Sequence, residues 1–194
     1  MPLLLSAGML VCAAAHAETA FLACDGCHGT NGISQASHIP TISGLNFQYF
    51  YAAMQDFRKD RRNSTIMGRV AKGYKSGQLQ RMALHYGTRR WQGNPQQKFD
   101  PALAQRGREL HENNCIECHE QNGHFQDRET PPLAGQAKGY LLNQMRIYQV
   151  AANIMPQPPM MQEQLEGMSE QDLLALAEFF SSSLARAQAG PGEK

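Results

Sequence analysis

The sequence predicts an all-α chain built from two tandem copies of one small domain. Three observations predict it: a five-residue pattern that occurs twice, a constant spacing between further pairs of like residues, and helical apolar periodicity with no convincing strand.

The pattern is Cys-x-x-Cys-His, at Cys24-Asp25-Gly26-Cys27-His28 and again at Cys115-Ile116-Glu117-Cys118-His119. Two thiols at that spacing can form thioethers with the vinyl groups of one haem, and the imidazole that follows becomes an axial ligand of its iron. Zinc held by two Cys-x-x-Cys pairs, or a pair of disulfides, would account for the thiols. Neither requires a histidine after both second cysteines. The expectation is two covalently bound haem c groups, one on Cys24 and Cys27 with His28, the other on Cys115 and Cys118 with His119.

The two patterns stand 91 residues apart, and the same offset pairs Ile42 with Leu133, Gly44 with Gly135, Tyr49 with Tyr140, Met54 with Met145 and Phe57 with Tyr148. Further on the offset becomes 94, pairing Leu79 with Leu173, Ala83 with Ala177 and Tyr86 with Phe180. The second copy therefore carries three extra residues in the intervening loop.

Taken in order, residues 1–17 hold no Asp, Glu, Lys or Arg, are rich in Leu and Ala, and end Ala15-His16-Ala17, which reads as a secretory signal lacking its basic start. The apolar stretch is short of the roughly 20 residues a membrane span needs. Cys12 falls in this segment, so the first domain, residues 18–86, and the second, residues 100–194, hold no cysteine beyond the four of the motifs. In the first copy Phe47, Phe50, Met54 and Phe57 recur at helical steps and predict one apolar face. Arg58 to Asn63 is too polar to extend it, so a loop is expected before Met67. A last helix follows, with Ser76 as its N-cap and Leu79, Met82, Ala83 and Tyr86 inward. Residues 87–99, with Gly93-Asn94-Pro95 inside them, read as a linker. Asp100-Pro101 suits a helix start leading through Leu103 and Leu110 to Cys115. Ser169 to Asp172 resembles a capping box opening a helix that buries Leu173, Leu176, Ala177 and Phe180.

Each domain is under about 100 residues, where an apolar core alone is marginal, and a buried porphyrin supplies the missing apolar surface. The chain's formal charge of +1 argues against a nucleic-acid partner. That balance conceals opposite halves: residues 18–100 have 11 Lys/Arg against 5 Asp/Glu, whereas residues 101–194 have 7 against 12. Arg58, Lys59, Arg61, Arg62, Arg69, Lys72 and Lys75 flank Met67 and form either a partner-steering face or a solvated one. Opposite charge also allows attraction between the two domains.

The sixth iron ligands are expected in the loop between the two last helices of each copy. Met67 stands there in the first, and the 94 offset carries it to Met161, with Met160 as the alternative and Met155 and Met168 behind them. Met54 and Met145 repeat too, but sit with aromatics on the apolar helix face. His38 would align with Glu129, His124 with Ile33, and His85 belongs to a helix, so paired histidine ligation would need a separate solution in each domain. A cysteinate ligand is excluded, since no cysteine is left for it. His/Met ligation fills both axial positions and points to outer-sphere electron transfer rather than substrate chemistry. A dihaem enzyme with peroxidase or thiosulfate chemistry would need one iron with a weak or missing sixth ligand.

These residues resemble the two-domain class I cytochromes c over nearly all of residues 18–194. The stretch Asn63-Ser64-Thr65-Ile66-Met67-Gly68-Arg69-Val70-Ala71-Lys72-Gly73-Tyr74 resembles the cytochrome subunit of flavocytochrome c sulfide dehydrogenase. The resemblance implies a periplasmic electron-transfer subunit, not catalytic alone, that accepts electrons from an FAD-containing, sulfide-oxidising flavoprotein and passes them to a soluble acceptor such as a small cytochrome. The Met160-Met161 region departs from that family's pattern. A general soluble dihaem carrier without a flavoprotein partner is the alternative it leaves.

Overall fold

The computed structural model describes residues 23–94, 96–150 and 159–188; the predicted signal segment and Met155 lie outside them. No strand occurs among the described residues, in agreement with the all-α expectation. Residues 23–28 are helical (α1) and carry the first motif. The first copy continues with α2 (Phe47–Arg58), α3 (Met67–Lys72) and α4 (Ser76–Gly87). The second is α5 (Pro101–Asn114), the single turn α6 (Glu120–Gly123), α7 (Lys138–Val150), α8 (Pro159–Leu165) and α9 (Glu170–Gln188).

Local chemistry sets the helix ends. The Asp100 carboxylate accepts from the amides of Ala102 and Leu103, and Pro101 fills the first turn of α5, where a missing N–H costs nothing. Ser169 and Asp172 exchange bonds at the start of α9: the Ser169 amide donates to the Asp172 carboxylate at 3.0 Å and the Asp172 amide to the Ser169 hydroxyl at 3.2 Å. Asn46 caps α2 through the amides of Gln48 and Tyr49. Ser76 is not the cap of α4 but its first residue; Lys75 precedes the helix, and its amide donates to the Gln78 side chain at 2.8 Å.

The duplication recurs in three backbone hydrogen bonds. The amides of Ile42 and Ser43 donate to the Gly32 carbonyl, and those of Leu133 and Ala134 to the Gly123 carbonyl. Gly44 donates to Tyr86 O, and Gly135 to Phe180 O, each at 2.8 Å. Gly32 and Gly123 have φ of +77° and +84°, and a Cβ on either would come within 2.8 Å of the Tyr86 or Phe180 ring. Two separate cores result. Ile42, Leu45, Phe50, Met54, Leu79, Met82 and Tyr86 fill the first; Leu141, Met145, Leu165, Leu173, Leu176, Phe179 and Phe180 fill the second. Phe47, expected inside, is 39% exposed at the outer end of α2. In the second core α5 crosses α9 in the most extensive helix contact of the described residues.

Among the described residues the halves meet through hydrogen bonds rather than ion pairs. Gln136 accepts from the Thr41 amide at 2.8 Å and donates to the Thr41 carbonyl at 3.0 Å. Gln126 does the same across Asn46 N (2.8 Å) and Gly44 O (2.9 Å). The segment after α4 is pinned as well: the Trp91 indole donates to Ala134 O at 2.8 Å and the Asn94 amide to Gly135 O at 3.0 Å. Every ion pair among the described residues joins groups of one half.

Candidate functional site

In each half the motif histidine is driven inward while its second cysteine stays at the surface. His28 and His119 are buried, Cys24 and Cys115 half-buried, and Cys27 and Cys118 exposed. Burial lowers the His28 pKa and holds that of His119 at about 4, with the neighbouring His111 adding to the second shift. A neutral imidazole is the form an iron ligand needs. Nδ1 of His28 donates to the Pro40 carbonyl at 2.7 Å, because a carbonyl can only accept. That bond fixes the tautomer and leaves the Nε2 lone pair for a metal.

The second half supports its histidine differently. Pro131, the repeat counterpart of Pro40, lines the same cavity as His119, yet His119 Nδ1 is buried without a hydrogen-bond partner. His111 instead donates from Nε2 to the backbone oxygen of His119 at 2.8 Å, and its ring stacks edge-on against Phe180. His111 is fully buried on the α5 face that also carries Ala104 and Gly107. Its place on that apolar stripe was the available signal for it in the sequence.

A cavity of about 280 Å³ opens beside Cys115, Cys118 and His119, walled by apolar side chains that include Leu133, Leu141, Met145, Leu176 and Phe180. Two thiols on the rim, a neutral imidazole and an apolar wall are the donor set and surface that a covalent haem requires. Met160 and Met161 both line this cavity. Met161 packs half-buried on the second core, whereas Met160 is 56% exposed. Met168 packs on that core but is absent from the cavity wall. In the first half Met67 begins α3 rather than lying in a loop, and packs on the core that Cys24 also touches. Behind that motif the Tyr86 hydroxyl donates to Asp25 at 2.8 Å.

The basic stretch around Met67 divides. Lys59, Arg61, Arg69, Lys72 and Lys75 are exposed, and Arg61 pairs with Asp56 while Lys72 reaches Asp60 at 2.7 Å. Ile66 and Val70 stand exposed among them. Arg62 is the departure from expectation: it is 6% exposed and, with Tyr49, reaches from the first half into the wall of the second cavity. Its guanidinium donates to the Tyr49 and Tyr140 hydroxyls at 3.3 and 3.2 Å and to Gln144 at 3.3 Å, and lies over the Phe57 ring. Desolvation pushes the Tyr140 phenol up to about 12 and raises Tyr148 also, so both stay neutral at physiological pH.

No helix among the described residues is long and apolar enough to cross a membrane, and no group of three His, Cys, Asp or Glu residues is arranged to hold a separate metal ion. Residues 104–183 match the family model described as cytochrome c. Over 70 residues the chain is 44% identical to the cytochrome subunit of sulfide dehydrogenase of Chlorobaculum tepidum, a stretch that is 36% of this chain and 63% of that protein. It is 26% identical over 180 residues to a thiosulfate dehydrogenase electron acceptor of Stutzerimonas stutzeri, covering 86% of this chain and 81% of the relative. Reduced recombinant cytochrome c4 from Pseudomonas stutzeri superposes with a TM-score of 0.76 at 22% identity, over 88% of this chain and 98% of that one. Residues 104–183 are thus a cytochrome c domain, and with the same backbone bonds repeated around the first motif the described residues form an all-helical fold with two Cys-x-x-Cys-His motifs that fit covalent haem c.

Proposed function

We propose that the chain is a periplasmic dihaem cytochrome that accepts electrons from a sulfide-oxidising flavoprotein, with one iron held by His28 and Met67 and the other by His119 and Met161. The observation that carries the partner is the 44% identity to the cytochrome subunit of a sulfide dehydrogenase. The ligand assignment rests on Met161 lying half-buried on the cavity that His119 lines, and on its repeat relation to Met67. The signal-like residues 1–17 support export. Haem supplies one-electron redox chemistry here. The chain's own residues would hold it, through the motif cysteines, and keep both histidines neutral, and apolar side chains would line the second site. Ile66 and Val70 are exposed near Met67, and Lys59, Arg69 and Lys75, exposed in the same stretch of chain, supply basic groups for a protein donor or acceptor.

A second reading follows from the longer alignment: likeness over 86% of the chain to a thiosulfate dehydrogenase electron acceptor favours a separate carrier without a bound flavoprotein. Gentle purification of the native protein with whatever stays bound, followed by spectra before and after sulfide, separates the two. Flavin absorption beside the haem bands with haem reduction by sulfide is the expected result. Two low-spin haems without flavin and without response to sulfide would replace it with the separate carrier.

A further inference from the structure

Arg62 carries a positive charge that the described residues leave unanswered. Its Nε is buried with no hydrogen-bond partner, and its other contacts are phenols, one amide and aromatic faces. None of the ion pairs among the described residues includes it. The acidic side chains on the cavity wall, Glu117 and Glu129, are exposed, and Glu129 pairs with Arg128 at 3.1 Å. Residues 151–158, which follow α7, include no Asp or Glu. A guanidinium does not lose its proton inside a protein, and neutral hydroxyls and an amide do not repay the removal of that charge from water. No carboxylate among the described residues answers it, and the cavity Arg62 lines is the one beside the second motif.

Haem brings two propionate carboxylates. We propose that Arg62, delivered from the first domain, is the charge partner of a propionate on the second haem. A planar fork of donors suits a carboxylate, and the unpartnered Nε belongs to that fork. The arrangement is one-sided. The repeat counterpart of Arg62 is Pro156 at the 94 offset and Asn153 at the 91 offset, so the repeat does not return this charge. Reduction removes one positive charge from an iron, and a cation close by favours it. Arg62 therefore ties the potential of the second haem to the docking of the first domain.

The test is a spectroelectrochemical titration of the holoprotein, with the two haems assigned by NMR, for the wild type, Arg62→Gln and Arg62→Lys. Arg62→Gln is expected to lower the reduction equilibrium constant of the second haem about tenfold, which is about 59 mV for one electron, and to move the first haem less. Arg62→Lys, which keeps the charge, is expected to restore most of the shift. Equal movement of both haems, or none, overturns the proposal. A crystal structure of the native holoprotein tests it without any variant: guanidinium nitrogens in hydrogen-bond contact with a propionate are expected, and a guanidinium touching only protein groups or water overturns it. The inference rests on two haems per chain, which a pyridine haemochrome count checks separately. One haem removes that premise; two haems with unmoved potentials remove the role of Arg62 alone.

Discussion

The two copies solve one packing problem with different chemistry, and the difference can be measured. In the first, the Tyr86 hydroxyl donates to Asp25 Oδ1 at 2.8 Å while the other Asp25 oxygen accepts from the Asn31 amide at 3.1 Å. The counterparts in the second copy are Phe180 and Ile116, which exchange no hydrogen bond because neither side chain has a polar atom. A hydrogen bond to a charged group contributes about 1.5–3 kcal/mol. Asp25 is half-buried and keeps its second partner, so Tyr86→Phe should cost about 1–2 kcal/mol, toward the low end of that range. Asp25→Ile leaves a fully buried hydroxyl with the weak sulfur acceptor of Cys24, again about 1–2 kcal/mol. Together the two substitutions recreate the Ile116/Phe180 pair and remove donor and acceptor at once, an exchange that can be nearly neutral. Each single variant should lower the melting temperature of the first domain by roughly 4–8 °C per kcal/mol. The double variant should return to within about 0.5 kcal/mol of the wild type. Denaturant titrations of the four holoproteins, followed at the first haem, close the cycle. Costs that simply add, within the roughly 0.3–0.5 kcal/mol scatter of independent sites, would refute the claim that these residues act as a pair.

Two further outcomes follow from the second domain. Gly107→Ala would drive a Cβ into the Ala175 carbonyl and to 2.7 Å from Phe179 Cβ, so α5 and α9 must part; despite the better helix propensity of Ala, a loss of about 1–3 kcal/mol is expected. Calorimetry of the holoprotein checks this, and an unchanged second-domain transition would mean the helices do not cross as closely as described. Met161→Leu should open one iron of the reduced protein to carbon monoxide, whereas Met160→Leu should leave both closed. The opposite pattern would transfer the ligand role to Met160.

What the sequence disclosed was what repeats or lies close along the chain. Cys-x-x-Cys-His is complete within five residues. The caps at Asp100 and Ser169 span three, and the core faces of α4 and α9 are written in helical steps. The paired offsets added long-range order because two copies under one packing constraint keep residues of like shape at like places, as Gly32 with Tyr86 and Gly123 with Phe180 do. The contact between the copies has no such redundancy. Gln126 and Gln136 clamp backbone 80 to 95 residues away, and nothing in a glutamine's neighbours indicates that its amide will meet both an N–H and a C=O across an interface. Arg62 was misread for the same reason. In a run of Arg58, Lys59, Asp60, Arg61 and Arg62 the local expectation is solvent, and it holds for Lys59, Asp60 and Arg61. The partners that bury Arg62 include Tyr140 and Gln144, 78 and 82 residues away, and no carboxylate of the described residues pairs with it. A sequence read for residue–residue complementarity registers such a charge as ordinary surface; only the fold, by burying it without a carboxylate, marks it as belonging to the cofactor.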